Sequence, residues 1–280
     1  MKSKTIKSVL TKKIDSWCAT IKDKKLQEAI KRDAIVTGGA IVSMLKNEPV
    51  NDFDIYFKTY ETTLAAANYY ADEFNSNAKA SRTVDVVTTG DRIKLRVQSD
   101  GVAGVYENEE DENHTAPVEP LDYKAEYKPV FISPNAITLS DKIQVIVRFY
   151  GTANTIHENF DFVHCTCSYD YQECKLLLPE KALLAIMNMD LIYQSSKYPV
   201  CAIMRTRKFL RRGWTINAGQ YLKMILDCSK LDLTKRGVLE DQLVGVDSLY
   251  FANLMCMLSA KDGADLDATY IVSVIEQIFD

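Results

Sequence analysis

The sequence predicts an α+β protein: a mixed sheet with helices fills the first part of the chain, and helices alone fill the last hundred residues. Three observations carry this expectation. Short runs such as Asn51-Asp52-Phe53-Asp54-Ile55-Tyr56-Phe57 alternate polar and apolar residues, the period of a half-buried strand. Runs such as 181–194 and 218–231 instead repeat apolar residues every three to four positions, the period of a helix buried along one face. The two patterns separate near residues 175–180, which gives an N-terminal helical segment (1–32), a mixed head (33–178) and a helical domain (179–280).

Composition bounds the class of protein. With 280 residues, 47% hydrophobic and 26% charged, the chain can bury a large core without disulfide or metal staples, and disordered or collagen-like classes are excluded. No run approaches the roughly 18 to 20 apolar residues a bilayer requires, and no signal-type stretch follows the Lys-rich start, so a soluble cytoplasmic protein without a membrane partner is expected. Seven cysteines, an odd number spread from Cys18 to Cys256, suit reduced thiols better than a disulfide framework. The net charge of −4 conceals segregation: residues 1–32 hold ten Lys/Arg against three acids and 197–236 hold ten against two, whereas 107–126 hold eight acids against one Lys. Two basic segments could together meet a polyanion.

Taken in order, Ile6, Leu10, Ile14, Trp17, Ile21, Leu26 and Ile30 predict one or two amphipathic helices with a break near Asp23. The run AIVTGG reads as a strand ending in two glycines, and AIVSMLKN as a helix stopping at Asn47-Glu48-Pro49. NDFDIYF is the next strand and residues 61–75 the next helix. TVDVVTT, RIKLRVQS, PVFIS, AITLS and IQVIVRFYG read as short strands within a β-rich insertion at about 80–150, interrupted by the acidic, turn-rich segment 107–126. From Pro179, helices are expected over 181–194, 201–212, 218–231, 238–258 and 268–279.

Neither a Walker-type P-loop nor a G-x-G-x-x-G is present. What stands out is Gly38-Gly39 at a strand-to-helix turn, followed by Asp52 and Asp54 on the next strand. Glycines there let backbone N–H groups approach a phosphate, and a helix N-terminus favours the negative charge. Aspartates two apart on a strand share a face and can hold hard cations, which stabilise the attacking and leaving oxygens of an in-line transfer. His157, His164, Cys165, Cys167 and Cys174 cluster, but their spacing lacks the C-x₂-C pair typical of zinc sites.

The segment VTGGAIVSMLKNEPVNDFDIYF resembles the head motif of the DNA-polymerase-β-like nucleotidyltransferase superfamily, most closely that of CCA-adding enzymes and bacterial poly(A) polymerases, including the thirteen-residue step from Gly39 to Asp52. RRGWTINAGQY, residues 211–221, is similar to the ribose-contacting R-R-D-F-T-I-N-A segment of CCA-adding enzymes. The chain also resembles nucleotidyltransferase-like proteins of large tailed bacteriophages, which share a segment like IQVIVRFYG…NFDFVHC; a phage protein of this kind would work in the host cytoplasm. The departures are Val42-Ser43 in place of Arg-Asp, Gly213 in place of the Asp of R-R-D, and Glu240-Asp241 without the Arg of E-D-x-x-R, which speak against CCA addition in the strict sense.

The resemblance implies a nucleotidyltransferase-type fold and a metal-dependent transfer of a nucleoside monophosphate from an NTP, ATP among the candidates, to a hydroxyl. Asp52, Asp54 and a third carboxylate would bind Mg²⁺ or Mn²⁺. Asp161 in NFDFVHC is preferred for the third over Asp85 in TVDVVTT, because the strand IQVIVRFYG precedes it. Gly38, Gly39, Arg211, Arg212 and Asn217 would contact the nucleotide, and Arg207 and Lys208 the acceptor. An RNA 3′ end, tRNA-like, is the expected acceptor partner. The alternatives are a catalytically silent nucleotide-sensing or partner-binding module, and an NMP-transferring toxin or protein-modifying enzyme.

Overall fold

The computed structural model describes residues 1–76, 82–99, 127–243 and Val272. Within them the α+β architecture is present. The helices are α1 (Ser3–Cys18), α2 (Lys24–Asp33), α3 (Gly39–Lys46), α4 (Tyr60–Ser76), α5 (Ala153–His157), α6 (Glu180–Asn188), α7 (Pro199–Leu210), α8 (Ala218–Cys228) and α9 (Arg236–Leu243). The strands are β1 (Ala34–Thr37), β2 (Phe53–Phe57), β3 (Arg82–Thr89), β4 (Arg92–Ser99), β5 (Pro129–Ser133), β6 (Ala136–Leu139), β7 (Ile143–Ile146), β8 (Ser168–Asp170) and β9 (Lys175–Leu177). Seven of them form one mixed sheet in the order β5-β6-β7-β2-β1-β8-β9, in which only β2 and β7 run parallel.

The predicted periodicities show directly in the packing. Ile6, Leu10, Ile14 and Trp17 place one stripe of α1 in the core, each fully buried, and the Trp17 indole N–H donates to the Tyr70 hydroxyl at 2.6 Å. The break near Asp23 is a helix cap: its carboxylate accepts from the backbone N–H of Lys25 at 2.8 Å and of Leu26 at 3.3 Å. All four residues of β1 are buried, as the centre of a covered sheet requires. Asp33, at the α2–β1 junction, pins α2 to α4 by accepting from the Arg32 guanidinium at 2.9 Å and from the Thr59 and Thr62 hydroxyls at 2.6 and 2.5 Å.

Three expectations need correction. Residues 80–150 do not form a single insertion: β3 and β4 make a separate two-stranded ribbon, whereas β5, β6 and β7 belong to the main sheet, with β7 against β2. The strand expected over IQVIVRFYG ends at Ile146. The helix expected over 181–194 ends at Asn188, because Met189 turns left-handed (φ 54°) and Leu191 N–H bonds Thr215 O at 2.8 Å, tying this segment to the one after α7. The acidic segment 107–126 and the helices expected over 244–258 and 268–279 lie outside the described residues, apart from helical Val272. Among the described residues no helix is long and apolar enough to cross a membrane.

Candidate functional site

The β1–α3–β2 unit builds the site. Thr37, the last residue of β1, pairs in register with Asp54 on β2, so the Gly38 turn lies directly beside the Asp54 carboxylate. Gly38 adopts φ 87° and ψ −146°, a region essentially restricted to glycine, and a Cβ there would stand 3.1 Å from Asp54 Oδ2. Its N–H donates to Cys165 O at 3.2 Å, locking the turn to the short 3-10 turn Val163–Cys165. The Thr37 hydroxyl, buried beneath, bonds Cys167 O at 2.8 Å and His157 Nε2 at 2.7 Å. Gly39 is different: it opens α3, is exposed, and a Cβ on it would meet no protein atom within 4 Å.

A cavity of about 220 Å³ opens at this turn, lined by Gly39, Asp52, Asp54, Lys208 and Arg212 among the expected site residues. Ser43, Asn51, His164, Phe209 and Trp214 complete most of its wall. Burial and the neighbouring Asp52 raise the Asp54 carboxyl to about 7, against the lowering effect of Lys208 and Arg205. Glu48 also lines the cavity, but pairs with Lys46 at 2.6 Å. Asp52 and Asp54 therefore offer hard oxygen donors in a setting where their mutual repulsion is costly. That donor set fits a Mg²⁺ or Mn²⁺ ion held by two carboxylates with its other positions left to ligand oxygens. Among the described residues no group of three or more His, Cys, Asp or Glu side chains is arranged to hold a metal, a zinc cluster at His157–Cys174 included.

The remaining expected residues sort differently. Asp161 is buried, but it lies ahead of the Val163–Cys165 turn and on no strand. Its carboxylate accepts from Arg205 and from the Ser196 hydroxyl, the latter at 2.6 Å. Asp85 sits on the separate β3–β4 ribbon opposite Arg96. On the strand adjoining β2, the register partner of Asp54 is Gln144, an amide, whose Nε2 donates to Thr138 Oγ1 at 3.3 Å. Helix geometry also regroups the basic residues. Lys208 and Arg212 are four apart and share the cavity face of α7 and its C-terminal turn; Arg207 and Arg211, equally four apart, are exposed and do not line the cavity. Asn217 caps α8, its side chain accepting from Gln220 N–H at 3.2 Å.

Ser43, Asn51 and Phe209 carried no functional expectation; Arg205 was expected only as one of the basic residues of 197–236 that could meet a polyanion, and His164 only as one of the His–Cys cluster. Ser43 lies one turn after Gly39 and Asn51 adjoins Asp52, signals that spacing alone could have supplied. The particular places of Arg205 and His164 are not written in any local spacing, because they depend on how α7 and the 163–165 turn pack against the sheet.

Comparison with known proteins gives two kinds of similarity. The Gabija anti-defense 2 protein of Bacillus phage SPbetaL7 is 22% identical over 232 residues, covering 82% of this chain and 46% of that protein, so the chain spans about half the length of its curated relative. Among solved structures, the Thermotoga maritima CCA-adding enzyme complexed with tRNA superimposes with a TM-score of 0.42 at 10% identity, over 95% of this chain and 53% of that one. The Bacillus stearothermophilus CCA-adding enzyme in complex with CTP does so with a TM-score of 0.40 at 12% identity, over 84% and 50%. A model of the Gabija anti-defense 2 protein family matches residues 8–188, a span that holds the Gly38-Gly39 turn, both aspartates of β2 and every strand of the sheet, and the chain belongs to that family.

Proposed function

We propose that the chain is a metal-dependent nucleotidyltransferase that moves a nucleoside monophosphate from an NTP to a hydroxyl acceptor, releasing pyrophosphate. The observation that carries this reading is the single cavity in which Gly39, Asp52, Asp54, Lys208 and Arg212 meet. The N–H groups at the start of α3 have no intrahelical partner and, with the helix dipole, favour phosphate oxygens. Lys208 and Arg212, from α7 and the turn that ends it, neutralise the triphosphate. Asp52 and Asp54 would hold Mg²⁺ or Mn²⁺, which when bound supplies charge stabilisation to the reacting phosphate. Asp161 is our proposed base for the acceptor hydroxyl. Since Arg205 and Ser196 occupy its carboxylate, that part requires Arg205 to turn toward the incoming phosphates.

The acceptor we favour is an RNA 3′ end, approached from the exposed Arg207 and Arg211 face of α7. From the name of the phage relative we extend the proposal to a role against Gabija-type bacterial defence, with nucleotide transfer as the means. Incubation with each α-labelled NTP, Mg²⁺ or Mn²⁺, cellular RNA and cellular protein tests the reading. Label should pass to one acceptor class and be lost in Asp52→Ala and Asp54→Ala; absence of transfer with every nucleotide would sink it. The occupied Asp161 carboxylate favours a second reading, a nucleotide-binding module without chemistry, which predicts NTP binding without transfer.

A further inference from the structure

His164 is 1% exposed and lines the same cavity, yet neither ring nitrogen has a hydrogen-bond partner. This is unusual. A buried imidazole left unpaired forgoes its hydration without compensation, and an unsatisfied polar group in a native interior calls for an explanation. The contrast within this chain is direct, since the comparably buried His157 bonds the Thr37 hydroxyl at 2.7 Å. The His164 ring is fixed by aromatic neighbours, with Trp214 at 4.2 Å, Phe209 edge-on at 4.8 Å and Phe162 stacked at 5.8 Å between centroids. None of these rings accepts or donates a conventional hydrogen bond to it; each nitrogen has under 1 Å² of accessible surface, so a polar partner would reach it from the cavity as the wall side chains draw aside. Burial, aided by Lys46, lowers its pKa to about 3, so the ring is neutral at physiological pH, with one N–H donor and one acceptor nitrogen.

We propose that His164 is a specificity-determining residue that hydrogen-bonds a ribose hydroxyl of the bound nucleotide, an inference that rests on the nucleotide reading of the cavity. Three observations select the sugar. First, His164 lies on the same short turn as Cys165, whose carbonyl accepts from the N–H of buried Gly38, so the imidazole is tied through that turn to Gly39, the glycine that lines the cavity. The group next to a triphosphate is the ribose. Second, about 220 Å³ is less than the roughly 300–1,000 Å³ of common ligand pockets, which is room for the phosphates and what adjoins them. Third, a hydroxyl both donates and accepts, and so can pair with a neutral imidazole in either tautomer, whereas base edges differ among nucleotides.

Calorimetric titration of the whole protein with ATP, CTP, GTP and UTP, each against its 2′-deoxy and 3′-deoxy counterpart in Mg²⁺, tests the assignment. The wild type should bind one deoxy series about tenfold more weakly, the loss of about one net hydrogen bond. His164→Phe, which keeps the aromatic packing, should close that gap by weakening the ribonucleotide alone. Equal affinity of ribo- and deoxynucleotides for the wild type overturns the proposal and spares the nucleotide site, and this comparison stands even where the variant does not fold. A gap that persists in His164→Phe overturns it as well. Failure of the wild type to bind any nucleotide overturns the nucleotide reading and this assignment together.

Discussion

Substituting the two glycines separately should split stability from binding. In Gly38→Ala, the backbone at φ 87° and ψ −146° imposes a conformational cost of about 1–3 kcal/mol on any residue with a Cβ. The new methyl would also press on Asp54 Oδ2 at 3.1 Å, closer than an ordinary carbon–oxygen contact, with a buried strand behind the carboxylate that cannot retreat. The expected loss is about 2–4 kcal/mol in total, by adding a modest steric cost to the backbone term. At Gly39 neither cost applies: nothing lies within 4 Å of a Cβ, and Ala is the better helix former, so stability should change by less than about 0.5 kcal/mol. Its methyl would instead occupy the space a phosphate needs. Urea denaturation followed by far-ultraviolet circular dichroism measures the first effect, and calorimetry with Mg²⁺–NTP the second. Wild-type stability in Gly38→Ala, or unweakened nucleotide binding in Gly39→Ala, would refute the reasoning.

Other expectations follow from the electrostatics. Burial would raise the Asp33 carboxyl, but hydrogen bonds from Arg32, Thr59 and Thr62 outweigh it and hold it at about 2, below the ordinary 3.8. Its contribution is present above pH 4 and lost as pH falls toward 2, and Asp33→Asn should cost about 1–2 kcal/mol at pH 7 after allowing for the solvent-exposed Arg32, as read by thermal melts across pH. Asp54 has the opposite sign: with its pKa raised to about 7, the metal-free protein should lose stability as pH rises from 4 to 7. Asp54→Asn should therefore match wild type near pH 4 and exceed it by about 1–3 kcal/mol at pH 8 in chelator, an advantage that Mg²⁺ should erase. Lys208→Ala and Arg212→Ala should each weaken NTP binding several-fold, whereas Arg207→Ala and Arg211→Ala leave it unchanged and weaken RNA binding with a shallower salt dependence, as fluorescence anisotropy would report.

Local pattern made much of this molecule legible. The α1 stripe, the Asp23 cap and the Gly38-Gly39 to Asp52–Asp54 arrangement are all encoded within about twenty residues of sequence, where period and turn chemistry act directly. What escaped was long-range. Nothing local says that β7 pairs in parallel with β2, so residues 129–146 read as part of an insertion when they complete the sheet. Alternation of apolar residues around Asp161 suggested a strand, but Phe162 bridges Tyr193 and the segment turns through a 3-10 element instead. Likewise, the resemblance to R-R-D-F-T-I-N-A grouped Arg211 with Arg212 and set Arg207 and Lys208 one turn before them, while α7 and the turn that ends it place Lys208 and Arg212, four apart, on the cavity. His164 shows in the sequence only as one of a His–Cys cluster, because an unpartnered imidazole is a property of its surroundings.

Product stoichiometry tests the central claim most directly. Purified protein with its NTP, Mg²⁺ or Mn²⁺ and cellular RNA would be assayed for α-label incorporated and for pyrophosphate and orthophosphate released. Nucleotidyl transfer predicts one pyrophosphate per nucleotide incorporated, with both signals lost in Asp52→Ala and Asp54→Ala. Saturable NTP binding without pyrophosphate release, or release of orthophosphate alone, would contradict it.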